Sequence, residues 1–273
     1  MKNKAKKTPL IFFAFGLCLF VIALLGDLTS LGNYENMKAR DWEKFSLELT
    51  RKINNSDDFV LEAIERNPNF TKSSKQERAI LLHNLVSEYF TSGHARHNLF
   101  SNWILYSLGQ IHPAFLSIYD HNHLISRGHS LICSQHSYVL MKLSIQSGLT
   151  ARHVGLNGHV VCEIFWDRKW HMFDPSMELF ALDMTTDRIE SVSGLEQNPS
   201  LAHTLYPKHR SNFADTFISS EDNSFNAHPL GVYFEWKSQV LMYFELFANY
   251  MQYIFPVVLV LFCGRFLFIN RSV

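Results

Sequence analysis

Three residues of the types used in nucleophilic catalysis follow one another along the chain: Cys133, His159 and Asp174. A cysteine attacks carbonyl carbons as a thiolate, a neighbouring imidazole takes and returns the proton, and a carboxylate orients the imidazole. A helix N-terminus and a nearby imidazolium both stabilise a thiolate. The three residue types predict a nucleophile, its base and an orienting acid, if the fold brings them together.

The sequence around Cys133 predicts a buried helix that begins at this residue. Residues 134–146 contain no Gly or Pro and are rich in apolar side chains, and Gly148 follows as a C-terminal stop signal. Cys133 then lies at the positive end of the helix dipole, where a thiolate is favoured.

The other two residues lie on what the sequence predicts to be a β-hairpin. Three β-rich runs follow the helix, and a turn at Asp167 and Arg168 separates the last two; the runs are 149–154, 159–166 and 169–173. His159 begins the first arm of the hairpin and Asp174 follows the second. In an antiparallel pair folded at this turn they fall roughly opposite each other, within hydrogen-bonding reach.

The residues surrounding the three candidates extend this pattern. The runs 128–136, 147–154 and 158–175 resemble the core of the transglutaminase-like superfamily, a papain-related fold. Further positions agree with the pattern of that superfamily: Gly148, Arg152, Glu163, Trp170 and Pro175. The resemblance implies an α+β fold in which a Cys-bearing helix packs on an antiparallel sheet that carries His and Asp.

The resemblance also implies a chemistry. Cys133, His159 and Asp174 would form the catalytic triad of an enzyme that acts on a protein or peptide-like amide, or an ester, through a thioester and without cofactor or metal. The acyl group would pass to water, as in a peptidase or amidase, or to an amine, as in a transglutaminase. Two positions depart from the common pattern, because Leu131 replaces a glycine and Val161 an aromatic residue.

The alternative is a member that has lost activity. Such a domain would serve as a binding or assembly module in a cell-envelope or surface-polysaccharide system, and its partner would be a protein of that system. The intact triad favours the enzyme, and replacing Cys133 by Ala distinguishes the two hypotheses.

Other polar residues near the predicted site have competing interpretations. We interpret Arg152 and Glu163 as a structural ion pair that supports the hairpin. Gln110 and Trp103 are upstream candidates for the second oxyanion-hole donor, although an ordinary loop amide and a core aromatic residue are the simpler interpretations.

A disulfide between Cys133 and Cys162 is the main structural alternative to a nucleophilic thiol. Strand alternation argues against it. Cys162 lies three residues after His159 and therefore on the opposite face of the strand, whereas Cys133 must share the histidine's side.

Histidines are frequent between residues 91 and 127. Two short pairs, His94 with His97 and His121 with His123, have a spacing that suggests a metal site. No cysteine and few carboxylates accompany them, so we interpret them as solvated loop histidines.

The chain begins with a membrane-directed pattern. Residues 9–26 carry no charge and follow four lysines, which indicates a signal peptide or a membrane anchor. We favour the anchor, because no convincing cleavage site follows. A second apolar segment, 242–268, predicts either a spanning helix or an amphipathic helix that lies in the interface.

The flanking charges indicate an orientation. The early lysines, Arg265 and Arg271 all favour cytoplasmic ends. The domain between the two segments is then expected on the periplasmic side of the inner (plasma) membrane, with the lipid bilayer as a partner through both termini.

The remaining sequence suits one globular domain. We divide it into a cytoplasmic tail (1–8), the first anchor (9–26), a helical N-terminal extension (27–73), the transglutaminase-like core (74–180) and an irregular extension (181–238). The sequence also predicts three helices before Cys133: an amphipathic one at 34–53, a short one at 57–66, and one at 74–90 that begins with the capping pattern Ser74-Lys-Gln-Glu77. Lys plus Arg and Asp plus Glu both number 25, and this balance disfavours nucleic-acid binding.

Overall fold

The computed structural model describes residues 2–156, 158–206, 214, 224–226 and 235–269. The chain forms two compact units, each assembled from separate stretches of sequence. We call residues 1–34, 96–120 and 240–273 the helical unit, and residues 35–95 and 121–239 the sheet unit. The protein is α+β, as predicted, with a long apolar helix at each end.

The secondary structure runs as follows. The helices are α1 (Lys2–Leu28), α2 (Leu47–Lys52), α3 (Ser56–Arg66), α4 (Lys75–Tyr89), α5 (Trp103–Gly109), α6 (His121–Ser126), α7 (Cys133–Gln146), α8 (Val192–Gln197), α9 (Pro199–Leu205) and α10 (Glu235–Ile269). The strands are β1 (Thr91–Ser92), β2 (Ser130–Leu131), β3 (Thr150–Leu156), β4 (His159–Trp166), β5 (Lys169–Asp174), β6 (Leu179–Phe180), β7 (Leu182–Asp183), β8 (Arg188–Ile189) and β9 (Ser224–Asn226). Short 3-10 turns occur at Ser30–Gly32, Phe70–Lys72 and Pro113–Leu116.

The centre of the sheet unit is a five-stranded antiparallel sheet. Its strand order is β6-β5-β4-β3-β9. Helix α7 packs on β3 and β4, and α4 packs against α7. Their apolar side chains form a core that excludes water and supplies the main stabilisation of the unit; the most buried include Leu82, Leu85, Val86, Val139, Leu140, Leu143, Val154, Ile164, Met172 and Phe173.

The predicted hairpin is confirmed. Strand β4 pairs with β5 across a two-residue turn in which Asp167 and Arg168 have φ values of 47° and 62°. Left-handed geometry at both central residues is the turn form that matches the twist of a tight hairpin. The predicted stop of α7 is also present, because Gly148 has a φ of 75° and follows the last turn of the helix.

The long helix predicted at 34–53 is wrong. Only α2, at its end, is helical, and residues 35–45, which we call the strap, are extended or turn-like. The strap has a local bond between Arg40 and Glu43, and it also bonds to residues far along the chain: the Met37 N–H donates to Ser130 Oγ (2.7 Å), and Glu43 Oε1 accepts from the Ser92 N–H (2.9 Å). Amphipathic composition alone does not reveal these distant partners.

The helices predicted at 57–66 and 74–90 are present as α3 and α4. Ser74 caps α4 through the predicted capping box: its hydroxyl accepts from the Glu77 N–H, and the Glu77 carboxylate accepts from the Ser74 N–H.

The extension after residue 180 is more regular than the sequence suggests. It contains the β7-β8 hairpin and the helices α8 and α9, and β9 adds an edge strand to the sheet beside β3. Residues 207–213, 215–223 and 227–234 of the predicted extension lie outside the described residues.

The helical unit contains two helices that are long and apolar enough to cross a membrane, Lys7–Leu28 and Val240–Ile269. They approach closely at Gly16, where an added Cβ would lie 3.2 Å from the Pro256 carbonyl oxygen. This finding supports the coarse prediction of apolar anchors at both ends of the chain.

The prediction of solvated loop histidines is wrong for His97. Its side chain is buried, with 3% of the residue exposed. Its Nε2 lies 3.2 Å from Glu245 Oε1, and its Nδ1 lies 3.3 Å from Ser101 Oγ. Residues far along the chain supply the partners, and a local pattern does not show them.

Candidate active site

Cys133 is positioned by the segment that precedes it and by the helix that it begins. Strand β2 pairs in parallel with β1 and leads directly into α7. Gln135 fastens this junction from inside: its Oε1 accepts from the Ala95 N–H (3.2 Å) and the Ile132 N–H (3.3 Å), and its Nε2 donates to the Ala95 carbonyl (2.9 Å). A buried side chain with three backbone bonds fixes the first turn of α7.

Two buried imidazoles also hold the peptide groups on either side of Cys133. His136 Nδ1 lies 3.1 Å from the Ile132 carbonyl, and His153 Nε2 lies 3.0 Å from the Ser134 carbonyl. Burial disfavours the imidazolium and lowers the pKa of each histidine to about 4. At neutral pH both rings are therefore neutral, and each can donate one hydrogen bond to its carbonyl.

The hairpin brings His159 and Asp174 together. The register pairs Cys162 with Phe173, so Asp174 lies level with Val161, on the face that also carries His159 two residues earlier. His159 Nε2 lies 2.6 Å from Asp174 Oδ2, and both side chains are buried. The two side chains meet diagonally across β4 and β5, whereas the sequence predicted that they lie roughly opposite each other.

The Asp174 carboxylate accepts four hydrogen bonds, two at each oxygen, and one of them comes from His159. Oδ2 also accepts from the Tyr206 hydroxyl (2.8 Å), and Oδ1 accepts from the Ser176 hydroxyl (2.8 Å) and the Met177 N–H (3.2 Å). Burial opposes the charge, but His159 and these hydrogen bonds hold the pKa of Asp174 below its usual range. The residue is an ionised carboxylate.

Asp174 and Cys133 together determine the charge of His159. Burial disfavours the imidazolium, but the charge and hydrogen bond of Asp174 outweigh burial, and Cys133 adds a hydrogen bond of its own; together they raise the pKa of His159 to about 10. Because Nε2 is bonded to Asp174, Nδ1 is the nitrogen that remains for the Cys133 side. At neutral pH the Cys133 sulfur therefore faces a protonated imidazole, which favours the thiolate form of a cysteine nucleophile.

Cys133 and His159 open into one cleft of about 550 Å³. One wall comes from the strap, and the opposite wall comes from the residues that follow Asp174. The residues that line the cleft include Met37, Arg40, His94, Cys133, His159 and Ser176. Within the described residues of the sheet unit, no three metal-ligating side chains come within coordinating range of one another.

The two upstream candidates for an oxyanion donor have other partners. The side-chain amide of Gln110 donates to the Tyr106 carbonyl (3.2 Å), and Trp103 Nε1 donates to the Gln252 carbonyl (3.1 Å). Neither residue lines the cleft. These positions agree with the simpler interpretations, a loop amide and a packed aromatic residue.

The interpretation of Arg152 and Glu163 as a structural pair is supported. Arg152 Nε lies 2.7 Å from Glu163 Oε2, and Glu163 Oε1 accepts from the Val192 N–H (2.8 Å). The guanidinium also stacks on the Trp170 ring, with 4.0 Å between its carbon and the ring centre. The pair ties the sheet to α8, away from the cleft.

The cysteines of the sheet unit are both free. Cys162 is fully buried, whereas Cys133 is partly exposed at the cleft. Burial and the charge of Glu163 raise the pKa of the Cys162 thiol well above its ordinary value. Its environment is that of an inert core residue.

Sequence reasoning missed Tyr206 and Ser176. Ser176 had a local signal, because a hydroxyl two residues after an aspartate often bonds to that carboxylate. Tyr206 had none, because 32 positions separate it from Asp174 and only the fold joins them. No protein-family model, curated protein or solved structure matches this chain.

Proposed function

We propose that the protein is a membrane-anchored cysteine enzyme of the transglutaminase-like, papain-related type, which cleaves an amide or ester and transfers its acyl group to water or to an amine. The observation that carries this proposal is the convergence of Cys133, at the start of a helix, with the buried His159–Asp174 pair at one cleft. An inert core cysteine needs no such cleft and no paired imidazole.

The first half of the reaction forms a thioester. His159 is protonated at neutral pH, because its pKa is about 10, so the sulfur attacks the substrate carbonyl carbon as the thiolate of a Cys133–His159 ion pair and forms a carbon–sulfur bond. The Cys133 N–H, at the helix N-terminus, donates to the developing oxyanion. His159 then gives its proton to the leaving amine or alcohol as the bond to the carbonyl carbon breaks.

The second half reverses these roles. His159 Nδ1 removes a proton from water or from an acceptor amine, which attacks the thioester carbonyl. The carbon–sulfur bond breaks, the acid or the new amide leaves, and the sulfur regains its starting state. Asp174 keeps the imidazole in one orientation throughout, because three further donors hold its carboxylate in place.

The apolar helices give the proposed enzyme its location. Helices α1 and α10 would serve as the anchors, and the lysines at the start of α1 together with Arg265 favour a cytoplasmic side for both chain ends. The sheet unit would then act on the outer side of an inner or plasma membrane.

The test is the alkylation of Cys133 in the purified full-length chain. Iodoacetamide is applied across a range of pH, and peptide mass spectrometry follows each cysteine separately. We expect rapid modification of Cys133 at pH 6 and none of buried Cys162. His159→Ala should slow the reaction at pH 6 by about tenfold, the effect of losing about 1.4 kcal/mol of thiolate stabilisation.

The exposed residue His203 supplies the matched control, because it lies in the same unit and does not line the cleft. His203→Ala should leave the rate unchanged. A Cys133 that reacts no faster than an ordinary exposed thiol, with or without His159, would contradict the proposal and favour a binding module without catalysis.

A further inference from the structure

In the first half of α10 the polar side chains are buried and the apolar side chains are exposed, which is the reverse of a helix in water. Its polar residues are directed inward: Glu245 and Gln252 are buried, and Asn249 is half-buried. Between Val240 and Gln252 its exposed residues are apolar or aromatic, namely Val240, Tyr243, Leu246, Phe247 and Tyr250. A helix in water exposes its polar face. Polar residues turned inward and apolar residues turned outward are the arrangement of a helix in lipid.

Two of the three inward side chains, Glu245 and Asn249, have partners in residues 96–120, which we call the collar, and the Gln252 backbone carbonyl accepts from Trp103 of the same segment. Glu245 Oε2 accepts from the Tyr119 N–H (2.6 Å) and the Asp120 N–H (3.2 Å). Asn102 donates to Asn249 Oδ1 (2.8 Å). The collar thus satisfies polar groups that α10 would otherwise bring unpaired into an apolar environment.

The collar is also joined to the end of α1. The side-chain amide of Asn98 donates to the carbonyls of Leu31 (3.1 Å) and Asn33 (2.8 Å). At Gly26, α1 and the collar approach so closely that an added Cβ would lie 1.8 Å from the Phe100 carbonyl oxygen. The collar is therefore an integral part of the helical unit.

The composition of the collar matches a membrane interface. Between Arg96 and Asp120 the chain has no Asp, Glu, Lys or Arg, and it carries the aromatic residues Phe100, Trp103, Tyr106, Phe115 and Tyr119. Its most exposed apolar residue, Ile111, is 82% exposed. Aromatic residues of this kind concentrate at the headgroup level of bilayers.

We propose that the collar, residues 96–120, is a third membrane-contacting element, which lies in the headgroup and upper acyl layer of the bilayer with Ile111 directed into lipid. The proposal rests on the anchoring by α1 and α10 and not on any activity of Cys133. It makes membrane contact a property of the middle of the chain as well as of its ends.

The test measures lipid contact site by site in the full-length chain. Cys18, Cys133 and Cys263 are replaced by Ser, and buried Cys162 is kept. A single cysteine is introduced by Ile111→Cys, labelled with an environment-sensitive nitrobenzoxadiazole dye, and placed in nanodiscs of phosphatidylethanolamine and phosphatidylglycerol. Lipids with a doxyl quencher near the headgroup, or iodide in the buffer, are then added.

Three further labels make the result decisive. Met184→Cys is the matched water-exposed control, because Met184 is 83% exposed in a turn between Asp183 and Thr185 of the sheet unit. Val258→Cys, which is 58% exposed in the apolar part of α10, reports the anchoring itself. All three positions are exposed, so the labels remove little packing. Tyr106→Cys provides a second collar position.

We expect the doxyl lipids to quench the Ile111 and Tyr106 labels about twofold or more beyond the Met184 label, and iodide to show the reverse order. Quenching at Val258 with no difference between Ile111 and Met184 would overturn the collar proposal alone. Absence of lipid quenching at Val258 would overturn the anchoring on which it rests. Protection of Ile111 from both quenchers would indicate a protein partner and would also overturn the proposal.

Discussion

At the scale of single residues, the candidate site depends on a carboxylate whose partners come from three parts of the chain. Asp174 accepts from His159 on the neighbouring strand, from Ser176 and Met177 in the following turn, and from Tyr206 after α9. Each donor stabilises the ionised form, and their directions fix the plane of the carboxylate. The orientation of His159 therefore depends in part on Tyr206, which does not line the cleft.

Tyr206→Phe tests this dependence. The change removes one hydrogen bond to a buried charge and leaves the ring in place, so we expect the free energy of unfolding to fall by about 1.5–3 kcal/mol. Alkylation of Cys133 should slow as well, because His159 is held less firmly. Ser176→Ala, which removes a bond to the other oxygen, provides the comparison. A fully stable and equally reactive Tyr206→Phe protein would show that the contact has no role.

The buried histidines predict a loss of stability on mild acidification. An unfolded histidine binds a proton near pH 6.5, whereas the pKa values of His136 and His153 lie at about 4 in the folded protein. Between these values the unfolded chain holds more protons, so stability falls as the pH is lowered from about 6.5 towards 4. Each histidine accounts for up to about 3 kcal/mol. Denaturant unfolding at several pH values measures the slope, and His153→Gln should reduce it.

His159 contributes with the opposite sign. Its pKa is raised to about 10, so its pairing with Asp174 stabilises the fold below about pH 6.5 and this contribution is lost as the pH rises towards 10. The two effects occupy separate pH ranges. Burial also lowers the pKa values of His83 and His129, so part of the acid slope should remain after His136 and His153 are replaced. An acid slope that the two replacements leave unchanged would contradict their assignment.

At the scale of elements, Gln135 joins two segments whose strands, β1 and β2, pair through only two residues each. It joins the end of the β1 segment, at Ala95, to the first turn of α7, at Ile132. We expect Gln135→Ala to lower the free energy of unfolding by about 2–4 kcal/mol, because it leaves buried backbone groups without partners. Gln135→Met keeps the length of the side chain and loses all three bonds without introducing a charge, so it should also be clearly destabilising. A Gln135→Met protein as stable as the parent would exclude a stabilising role for these bonds.

The elements that the sequence predicted correctly are those with local signals. Helix α7 has a stop at Gly148, α4 has a capping box, and the β4-β5 hairpin has a two-residue turn and alternating side chains. Because His159 and Asp174 lie on that one hairpin, their juxtaposition was predictable. The strap, Tyr206 and the edge strand β9 were not, since each depends on partners tens of residues away.

At the scale of the whole molecule, α10 and the collar depend on each other. Removing residues 235–273 would deprive the collar of the carboxylate of Glu245 and the amide of Asn249. We expect chymotrypsin to cleave such a truncated protein in the collar, at aromatic residues such as Trp103 and Tyr106, and to spare the same sites in the full-length protein. Limited proteolysis with mass spectrometry measures this. Equal protection of these sites in the two proteins would show that the collar is stable by itself.

The interleaving of the two units also sets an order of events during synthesis. The chain passes between the units four times, and residues 96–120 are made well before their partners at Glu245 and Asn249. At roughly 5–20 residues per second, the ribosome needs about 6 to 25 s to reach Glu245 after Asp120. For several seconds the growing chain therefore carries an aromatic segment, without charges between Arg96 and Asp120, whose polar partners have not yet been made. If α1 enters a bilayer first, as the proposed anchoring requires, the bilayer surface would be the environment that covers this segment.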